Sequence, residues 1–251
     1  MALSYNDLIK NVSTSQTEIL KNIIDLHNGG RPFDVDITYS TGGFYKKPKS
    51  SDIVIEEPLM KFDVYPLFED VSKLEPWGNI PIENESVESV IFDPPFICAP
   101  RNSKSVIEPK EGSNIMFKRF SSYYPIFELH ASYSHWIAEV YRILKEDGIF
   151  VFKCQNTISG GKFYANEEYV WMEAEKIGFT TLDKFNLTAK ARLLSGKVKN
   201  QEHARNFNSV FWVFKKDAKN HIDYYKWASD EKAIERLKKI MENASNEKND
   251  V

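Results

Sequence analysis

The chain of 251 residues is 42% apolar and 27% charged, which suffices for one sizeable α/β-type core and lies near the upper limit for a single domain. Its 33 basic and 36 acidic residues give a formal charge of -3, which excludes a uniformly cationic protein that holds nucleic acid by bulk charge. No stretch approaches the ~18 apolar residues of a membrane span, and the sequence MALSYNDLIK lacks the basic and apolar regions of a signal peptide. We therefore expect a cytoplasmic protein without membrane contact.

The predicted elements alternate between helices and strands along the chain. The helices carry apolar residues at helical spacing, and they cover residues 13–28, 134–145, 167–177 and part of the segment from 229 onward. The strands are apolar runs that stop at glycine, proline or charged residues, and they cover residues 33–39, 59–64, 87–93, 149–152, 179–187 and 209–215.

About six strands with interleaved helices predict an α/β fold with an open, doubly wound, mostly parallel sheet and helices on both of its faces. We expect a single domain over residues 1–228 and a charged helix and tail over residues 229–251. Cys98 and Cys154 lie far apart and belong to no CxxC, CxxH or histidine cluster. We expect both to be reduced, packed thiols, and we expect no metal site.

Two stretches carry positive charge outside this regular pattern. Residues 97–125 combine cations with aromatic side chains and show no clear period, and a loop of that length inside a compact domain is usually functional or disordered. Residues 184–205 hold six lysines and arginines against the single acid Glu202. The second stretch is a local positive patch in an otherwise acidic chain, although a solvated surface hairpin is an alternative interpretation.

The sequence Asp93-Pro94-Pro95-Phe96 carries the clearest chemistry. It follows a predicted strand, and in an open parallel sheet ligands bind at the C-terminal edge of the strands. An exocyclic amine conjugated to a ring is a poor nucleophile, and the Asp93 carboxylate and the Pro94 carbonyl could each accept one of its hydrogens. The prolines would stiffen this geometry and Phe96 could stack on the ring. The motif indicates methyl transfer to such an amine, although a plain strand stop has the same residues.

These four residues resemble the catalytic motif of the S-adenosylmethionine-dependent amino-methyltransferases, which methylate N6 of adenine or N4 of cytosine in DNA. Residues 34–44 (DVDITYSTGGF) resemble the methionine-binding motif of small phage-type DNA methylases, Asp-x-Thr-Tyr-Ser-x-Gly-x-Phe-Tyr. The wider family has an acid followed by Gly-x-Gly, whereas Gly42 and Gly43 are adjacent here. Asp63 stands where the family has the acid that binds the cofactor ribose, and residues 142–153 resemble the helix and strand that follow the catalytic motif.

The resemblance covers residues 33–216 and implies a seven-stranded Rossmann-like methyltransferase sheet with S-adenosyl-L-methionine as cofactor. It implies four catalytic residues, which are Asp93, Pro94, Pro95 and Phe96. The residues implied to bind the cofactor are Asp36, Thr38, Tyr39, Ser40, Gly42, Gly43, Phe44, Asp63 and Asp93. Apart from the resemblance, an acid at the end of a second strand is the arrangement with which doubly wound folds bind a ribose.

The order of these motifs leaves no room for a target-recognition domain between the cofactor elements and Asp93. We therefore expect the two basic stretches to hold a flipped nucleotide and its phosphates. The candidate nucleic-acid contacts are Arg101, Lys104, Lys118, Arg119, Lys197, Lys199, His203 and Arg205.

Three interpretations remain open. The favoured one is a DNA adenine-N6 methyltransferase, because enzymes that act on cytosine more often carry Ser in place of Asp93. The second is a methyltransferase for a base in ribosomal or transfer RNA, since the same motif also occurs in RNA enzymes. The third is a non-catalytic subunit that supports an active partner, and the sequence also leaves room for a homodimer.

Overall fold

The computed structural model describes residues 8–48, 52–96, 98–99, 124–190, 201–204, 206–217, 219, 222, 231–232, 234–236 and 238–239. Helices with defined bounds in this part are α1 Gln16–His27, α2 Ile126–Ile143 and α3 Asn166–Ile177. The strands are β1 Val12–Ser13, β2 Val35–Asp36, β3 Met60–Asp63, β4 Ser72–Lys73, β5 Val87–Phe92, β6 Cys98–Ala99, β7 Tyr124–Pro125, β8 Leu144–Cys154, β9 Thr157–Ser159, β10 Lys162–Tyr164, β11 Phe179–Thr188 and β12 Asn208–Lys216.

One large sheet has the strand order β1-β11-β12-β8-β5-β2-β3-β4. Neighbouring strands are parallel except where β12 pairs with β11 and with β8. The chain proceeds outward from β2 to β4 and then crosses to the other side of β2 to form β5, so the topological switch point lies between β2 and β5. The predicted doubly wound, mostly parallel sheet is confirmed. In the described residues it has eight strands, compared with six from the sequence pattern and seven from the resemblance. The two unpredicted strands, β1 and β4, form its two edges and are only two residues long, too short to show an alternating pattern.

Alternate residues of the central strands enter two separate cores. Val90 and Phe92 of β5, with Phe150 of β8, belong to the cluster that contains the buried face of α2 and part of α3. Ile91 and Val151, their neighbours along the strands, belong to the cluster that contains α1. Successive side chains of a strand point to opposite faces. The prediction of helices on both faces is therefore confirmed.

Helix α1 lies within its predicted span of 13–28 but begins at Gln16, with Ser15 as its N-cap. The side chain of Ser15 accepts a hydrogen bond from the backbone of Glu18 at 3.3 Å, and the helix ends before Gly29 and Gly30, which both have positive φ. Ile19, Leu20 and Ile23 are fully buried against the sheet.

Helix α2 differs from its predicted span of 134–145. It starts at Ile126 and stops at Ile143, so the helical repeat already includes Leu129 and Tyr133, and Leu144 begins strand β8. Residues 126–133, directly after the aperiodic stretch of residues 97–125, were assigned to no element from the sequence. The strand predicted for 33–39 is regular only over Val35–Asp36, although backbone hydrogen bonds from Ile37 to Ile91 and from Tyr39 to Phe62 continue its pairing.

Strand β8 is longer than its predicted span of 149–152, and the short strands β4, β6, β7, β9 and β10 were not predicted, whereas α3, β11 and β12 lie close to their predicted spans. Helix α3 ends at Gly178, which has a φ of 119°, and the described residues between 231 and 239 are helical. Cys154 is a free, fully buried thiol whose pKa is raised by that burial, whereas the side chain of Cys98 lies outside the described residues. Among the helices described, none combines the length and apolar content needed to cross a membrane.

Candidate active site

Three carboxylates meet where adjacent parallel strands end. Asp36 closes β2, Asp63 closes β3 and Asp93 follows β5 directly, and β2 lies between the other two strands in the sheet. Because the C-terminal ends of parallel strands lie at the same edge, the sheet brings together acids that are up to 57 positions apart in the sequence. The sequence predicted all three as site residues, and the structure places Asp36 and Asp93 on the two sides of the switch point and Asp63 on the next strand.

Asp36 is the most deeply buried of the three. It is 1% exposed, its Oδ1 accepts the backbone N–H of Thr38 at 2.8 Å and its Oδ2 accepts the Tyr45 hydroxyl at 2.7 Å. The pKa of Asp36 is raised to about 7, mainly by burial and to a smaller extent by the charges of Asp93 and Asp63, while the hydrogen bonds from Tyr45 and Thr38 oppose the shift. Loss of water is thus the main reason why the Asp36 carboxyl keeps its proton up to about neutral pH.

Asp36 also closes the loop of residues 38–45, which we call the Thr38–Tyr45 loop. Its two oxygens bind the first and the last residue of that loop, so the loop is fixed at both ends. The rings of Tyr39 and Tyr45 stack at 5.5 Å with an angle of 11° between their planes. Asp36 was predicted to touch the cofactor. In the structure its described contacts are all with this loop, so the predicted cofactor contact remains a prediction.

Gly42 is required by the shape of this loop. Its φ is +67°, and a Cβ at this position would lie 2.8 Å from the Tyr39 hydroxyl. Gly43, by contrast, is exposed, and the nearest atom to a Cβ there would be the Thr41 hydroxyl at 4.0 Å. The adjacent glycines thus have different reasons to be present, and only Gly42 is constrained by the backbone.

Hydrogen bonds tie the Thr38–Tyr45 loop to the two other strand ends. The backbone N–H of Asp93 donates to Thr38 Oγ1 at 2.7 Å, and the backbone N–H of Ser40 donates to Asp63 Oδ2 at 2.8 Å. Asp63 Oδ1 accepts the backbone N–H of Tyr65 at 2.8 Å, and burial raises the pKa of this carboxyl. Thr38, Ser40 and Asp63, all predicted as cofactor-binding residues, therefore belong to one hydrogen-bonded unit.

The two prolines after Asp93 lie beside helix α2, which binds the second of them. Pro94 is buried, and the Pro95 carbonyl accepts the hydroxyl of Tyr133 at 2.8 Å. Tyr133 is a fully buried residue of α2. Asp93 and Phe96 are partly exposed, so one acidic and one aromatic side chain of the motif remain accessible at the strand end.

Lys153 is a site residue that the sequence analysis did not assign. It lies at the end of β8, where its Nζ donates to Asp93 Oδ2 at 2.9 Å and to Gln16 Oε1 at 3.0 Å. Phe92 pairs with Phe152 across the parallel strands β5 and β8. Asp93 follows Phe92 and Lys153 follows Phe152, so the two charged residues lie side by side. The signal for this contact is the charged residue that follows each apolar run, but only the register shows that the two are opposite each other.

The predicted nucleic-acid contacts are mostly outside the described residues. This holds for Arg101, Lys104, Lys118, Arg119, Lys197, Lys199 and Arg205. His203 is described and exposed, and its Nε2 donates to the carbonyl of Gly161 at 3.1 Å, at the turn of the β9-β10 hairpin. Strands β6 and β7 pair in parallel and so bring the two ends of the 97–125 stretch together just after Phe96.

Neither a family model nor a curated protein matches this sequence. Among solved structures, a protein of Thermus thermophilus proposed as a DNA modification methylase and solved with S-adenosyl-L-methionine matches at 13% identity and a TM-score of 0.35, over 55% of this chain and 48% of that one. The PvuII DNA methyltransferase, which is cytosine-N4-specific, matches at 17% identity and a TM-score of 0.39 over 55% and 45% of the two chains. The aligned part is thus about half the length of each of these proteins.

A methyltransferase candidate in complex with the activator Trm112 of Haloferax volcanii aligns over more of the chain. It covers 82% of this chain and 91% of its own, at 12% identity and a TM-score of 0.44. Identities below 25% and TM-scores below 0.5 describe a general likeness of fold.

Proposed function

We propose that the protein is an S-adenosylmethionine-dependent N-methyltransferase that acts on an exocyclic amine of a nucleobase, with adenine N6 in DNA as the favoured acceptor. The observation that carries this proposal is the position of Asp93-Pro94-Pro95-Phe96 at the switch point of the sheet. There the backbone N–H of Asp93 is hydrogen-bonded to the Thr38–Tyr45 loop. In an open α/β sheet this is where ligands bind.

The charge of the site fits a cationic cofactor that carries a ribose. S-adenosylmethionine has a sulfonium and an ammonium group, and the carboxyl groups of Asp36, Asp63 and Asp93 lie at the ends of adjacent strands, where they attract a cation. Asp63 accepts two backbone hydrogen bonds. Since an ionised carboxylate has about four lone-pair sites, it keeps acceptor capacity for ribose hydroxyls. We assign Asp63 to the ribose and the Thr38–Tyr45 loop to the methionine end of the cofactor.

The proposed chemistry needs an acceptor for the amine hydrogens and no metal. When bound, the cofactor supplies a methyl group on a positively charged sulfur. With the cofactor bound, the amine nitrogen would attack the methyl carbon, the electron pair of the broken carbon–sulfur bond would stay on sulfur, and Asp93 would accept the proton that the nitrogen loses. Asp93 and the Pro94 carbonyl hold the amine hydrogens, and the bond from Tyr133 fixes the following peptide. Phe96 stacks on the base.

Two features support a nucleic-acid substrate. The predicted substrate loop of residues 97–125 begins and ends beside the motif, because β6 and β7 pair there. His203 of the second basic stretch contacts the hairpin that follows β8, so this stretch also approaches the same edge. A base inside a duplex cannot reach Asp93, and base flipping is therefore part of the proposal.

The test is transfer of tritium from labelled S-adenosylmethionine to DNA and to total RNA in parallel, followed by digestion and mass identification of the modified nucleoside. N6-methyladenine in DNA alone would support the favoured function. Label in RNA would replace DNA by RNA as the substrate. Cofactor binding without transfer to either would favour the non-catalytic subunit, and the absence of both binding and transfer would overturn the proposal.

A further inference from the structure

Lys153 is held in place by four different elements of the fold. It extends from β8, and its ammonium contacts Gln16 at the first position of α1 and Asp93 after β5. The same ammonium lies 5.2 Å from the ring centre of Phe44 in the Thr38–Tyr45 loop and 5.6 Å from that of Phe211 on β12. Its side chain is only 11% exposed, so each of these contacts restricts the position of the charge.

An ammonium in such surroundings needs compensation for the water it has lost. The Asp93 carboxylate supplies opposite charge, the Gln16 amide oxygen accepts a second hydrogen, and the two ring faces attract the cation. The arrangement satisfies the lysine through side chains, and its principal partner is the acid of the proposed catalytic motif. The ion pair thus connects Lys153 to the proposed site and not only to the core of the protein.

The contact determines how Asp93 is oriented. Its backbone N–H is bound to Thr38 and its Oδ2 is bound to Lys153, so two separate bonds define the position of the carboxylate. A carboxylate keeps further acceptor sites beyond one such bond. An acceptor that is already oriented does not have to reorganise when the amine arrives, which is the main source of electrostatic stabilisation in enzymes.

We infer that Lys153 is a positioning residue that fixes the Asp93 carboxylate for the amine acceptor and balances one of the negative charges around the cofactor site. This inference rests on the proposed role of Asp93. Gln16, Phe44 and Phe211 hold Lys153 in turn, and through these residues α1 and β12 contribute to the geometry of the site.

The test compares K153M and K153R with a matched control, K216M. Lys216 is also nearly buried and also combines an ion pair with an aromatic ring, but it lies at the opposite edge of the sheet. The measurements are kcat and KM for methyl transfer, the affinities for S-adenosylmethionine and S-adenosylhomocysteine, and a crystal structure of K153M. The crystal structure requires no turnover and reports the position of the Asp93 carboxylate directly.

We expect K153M to lower kcat by about 10- to 100-fold, because the oriented acceptor is lost, and to change KM for the cofactor by less than about threefold. K153R retains a donor for Asp93 and should recover part of kcat. Loss of the ammonium should also favour the cationic S-adenosylmethionine over its neutral thioether product, whereas a purely structural defect would weaken both equally. K216M should leave kcat and this affinity ratio unchanged.

The inference is overturned if kcat of K153M stays within about twofold of the unmodified protein, or if Asp93 keeps its position in the K153M crystal structure. The two proposals fail separately. If the unmodified protein binds the cofactor but methylates neither DNA nor RNA, the proposed function fails. The affinity ratio and the crystal structure would then still decide whether Lys153 positions Asp93.

Discussion

The two edges of the central sheet each hold a nearly buried lysine, and the two lysines have different partners. Lys153, at the edge where the parallel strands end, donates to the side chains of Asp93 and Gln16. Lys216, at the opposite edge, donates to the backbone carbonyls of Tyr141 and Leu144 and to the exposed acid Glu85.

This difference separates a structural cation from a functional one. Lys216 satisfies carbonyl groups in and just after the last turn of α2, where a positive charge also complements the helix dipole. Lys153 satisfies no backbone group in its described hydrogen bonds and instead fixes a site carboxylate. We therefore expect changes at the Lys216 edge to affect folding, and changes at the Lys153 edge to affect binding and chemistry.

The largest effect is expected for Asp93. D93A should lower methyl transfer by about 1,000-fold or more, because it removes the acceptor for the amine, while affinity for the cofactor stays nearly intact. The measurement is tritium transfer together with calorimetric cofactor binding. E85A, which changes an acid at the opposite edge, is the matched control and should transfer at the normal rate. Turnover of D93A within tenfold of normal would contradict the role of Asp93.

The next effect concerns Asp36 and the pH dependence of stability. Its pKa in the folded chain is about 7, above its usual value of 3.8, so the folded state keeps a proton that the unfolded state has released in this interval. The contribution of Asp36 to stability is therefore complete below about pH 4 and is lost as the pH rises through about 7.

Replacing Asp36 by Asn removes the titrating group and should abolish this loss of stability with rising pH. The free energy of unfolding of D36N minus that of the unmodified protein should rise by roughly 3 to 4 kcal/mol between about pH 4 and about pH 8. Urea unfolding of both proteins across this interval measures the difference, in which groups that titrate identically cancel. A difference that does not vary with pH would contradict the assigned burial of the charge.

Lys216 should matter mainly for stability. K216M leaves two backbone carbonyls without their donor and should lower the free energy of unfolding by about 2 to 4 kcal/mol. We expect K153M to lose less, because its partner Asp93 is 23% exposed and can reach water. Thermal and urea unfolding of the two variants provide the comparison. Equal losses, or a larger loss for K153M, would remove the distinction between the two edges.

The smallest effect is expected in the Thr38–Tyr45 loop. G42A forces an L-residue into a φ of +67° and places a Cβ against the Tyr39 hydroxyl, which should destabilise the protein by about 1 to 2 kcal/mol and weaken cofactor binding. G43A is the control, since a Cβ there meets nothing closer than 4.0 Å. If both variants bind the cofactor equally well, the shape of the loop at Gly42 is not important for the site.

Local sequence patterns predicted most of the elements. Helix α1 has both a capping serine and a glycine stop, and β5 and β8 are continuous apolar runs, so each could be recognised within a short window. Helix α2 was placed too late and β1 was missed. Neither boundary has a local signal: the first residues of α2 directly follow an aperiodic stretch, and β1 is only two residues long.

The candidate site divides in a similar way. Asp93 and Asp63 could be predicted because each acid directly follows an apolar strand, and Gly42 because adjacent glycines mark a turn. Tyr45, which binds Asp36, and Tyr133, which binds the Pro95 carbonyl, could not be distinguished from other core aromatics in the sequence. Their hydroxyl partners lie on other elements, and no local pattern records such a pairing.

The sequence by itself determined the alternation of helices and strands, the doubly wound class of the sheet and the strand end at which Asp93 lies. These properties follow from short-range periodicity and from the chirality rules of parallel sheets. Only the tertiary structure decided that Lys153 faces Asp93, that Asp36 is buried and shares its environment with two other acids, and that Lys216 serves the opposite edge. Strand register and burial fix these relations, and both arise from packing between residues distant in the chain.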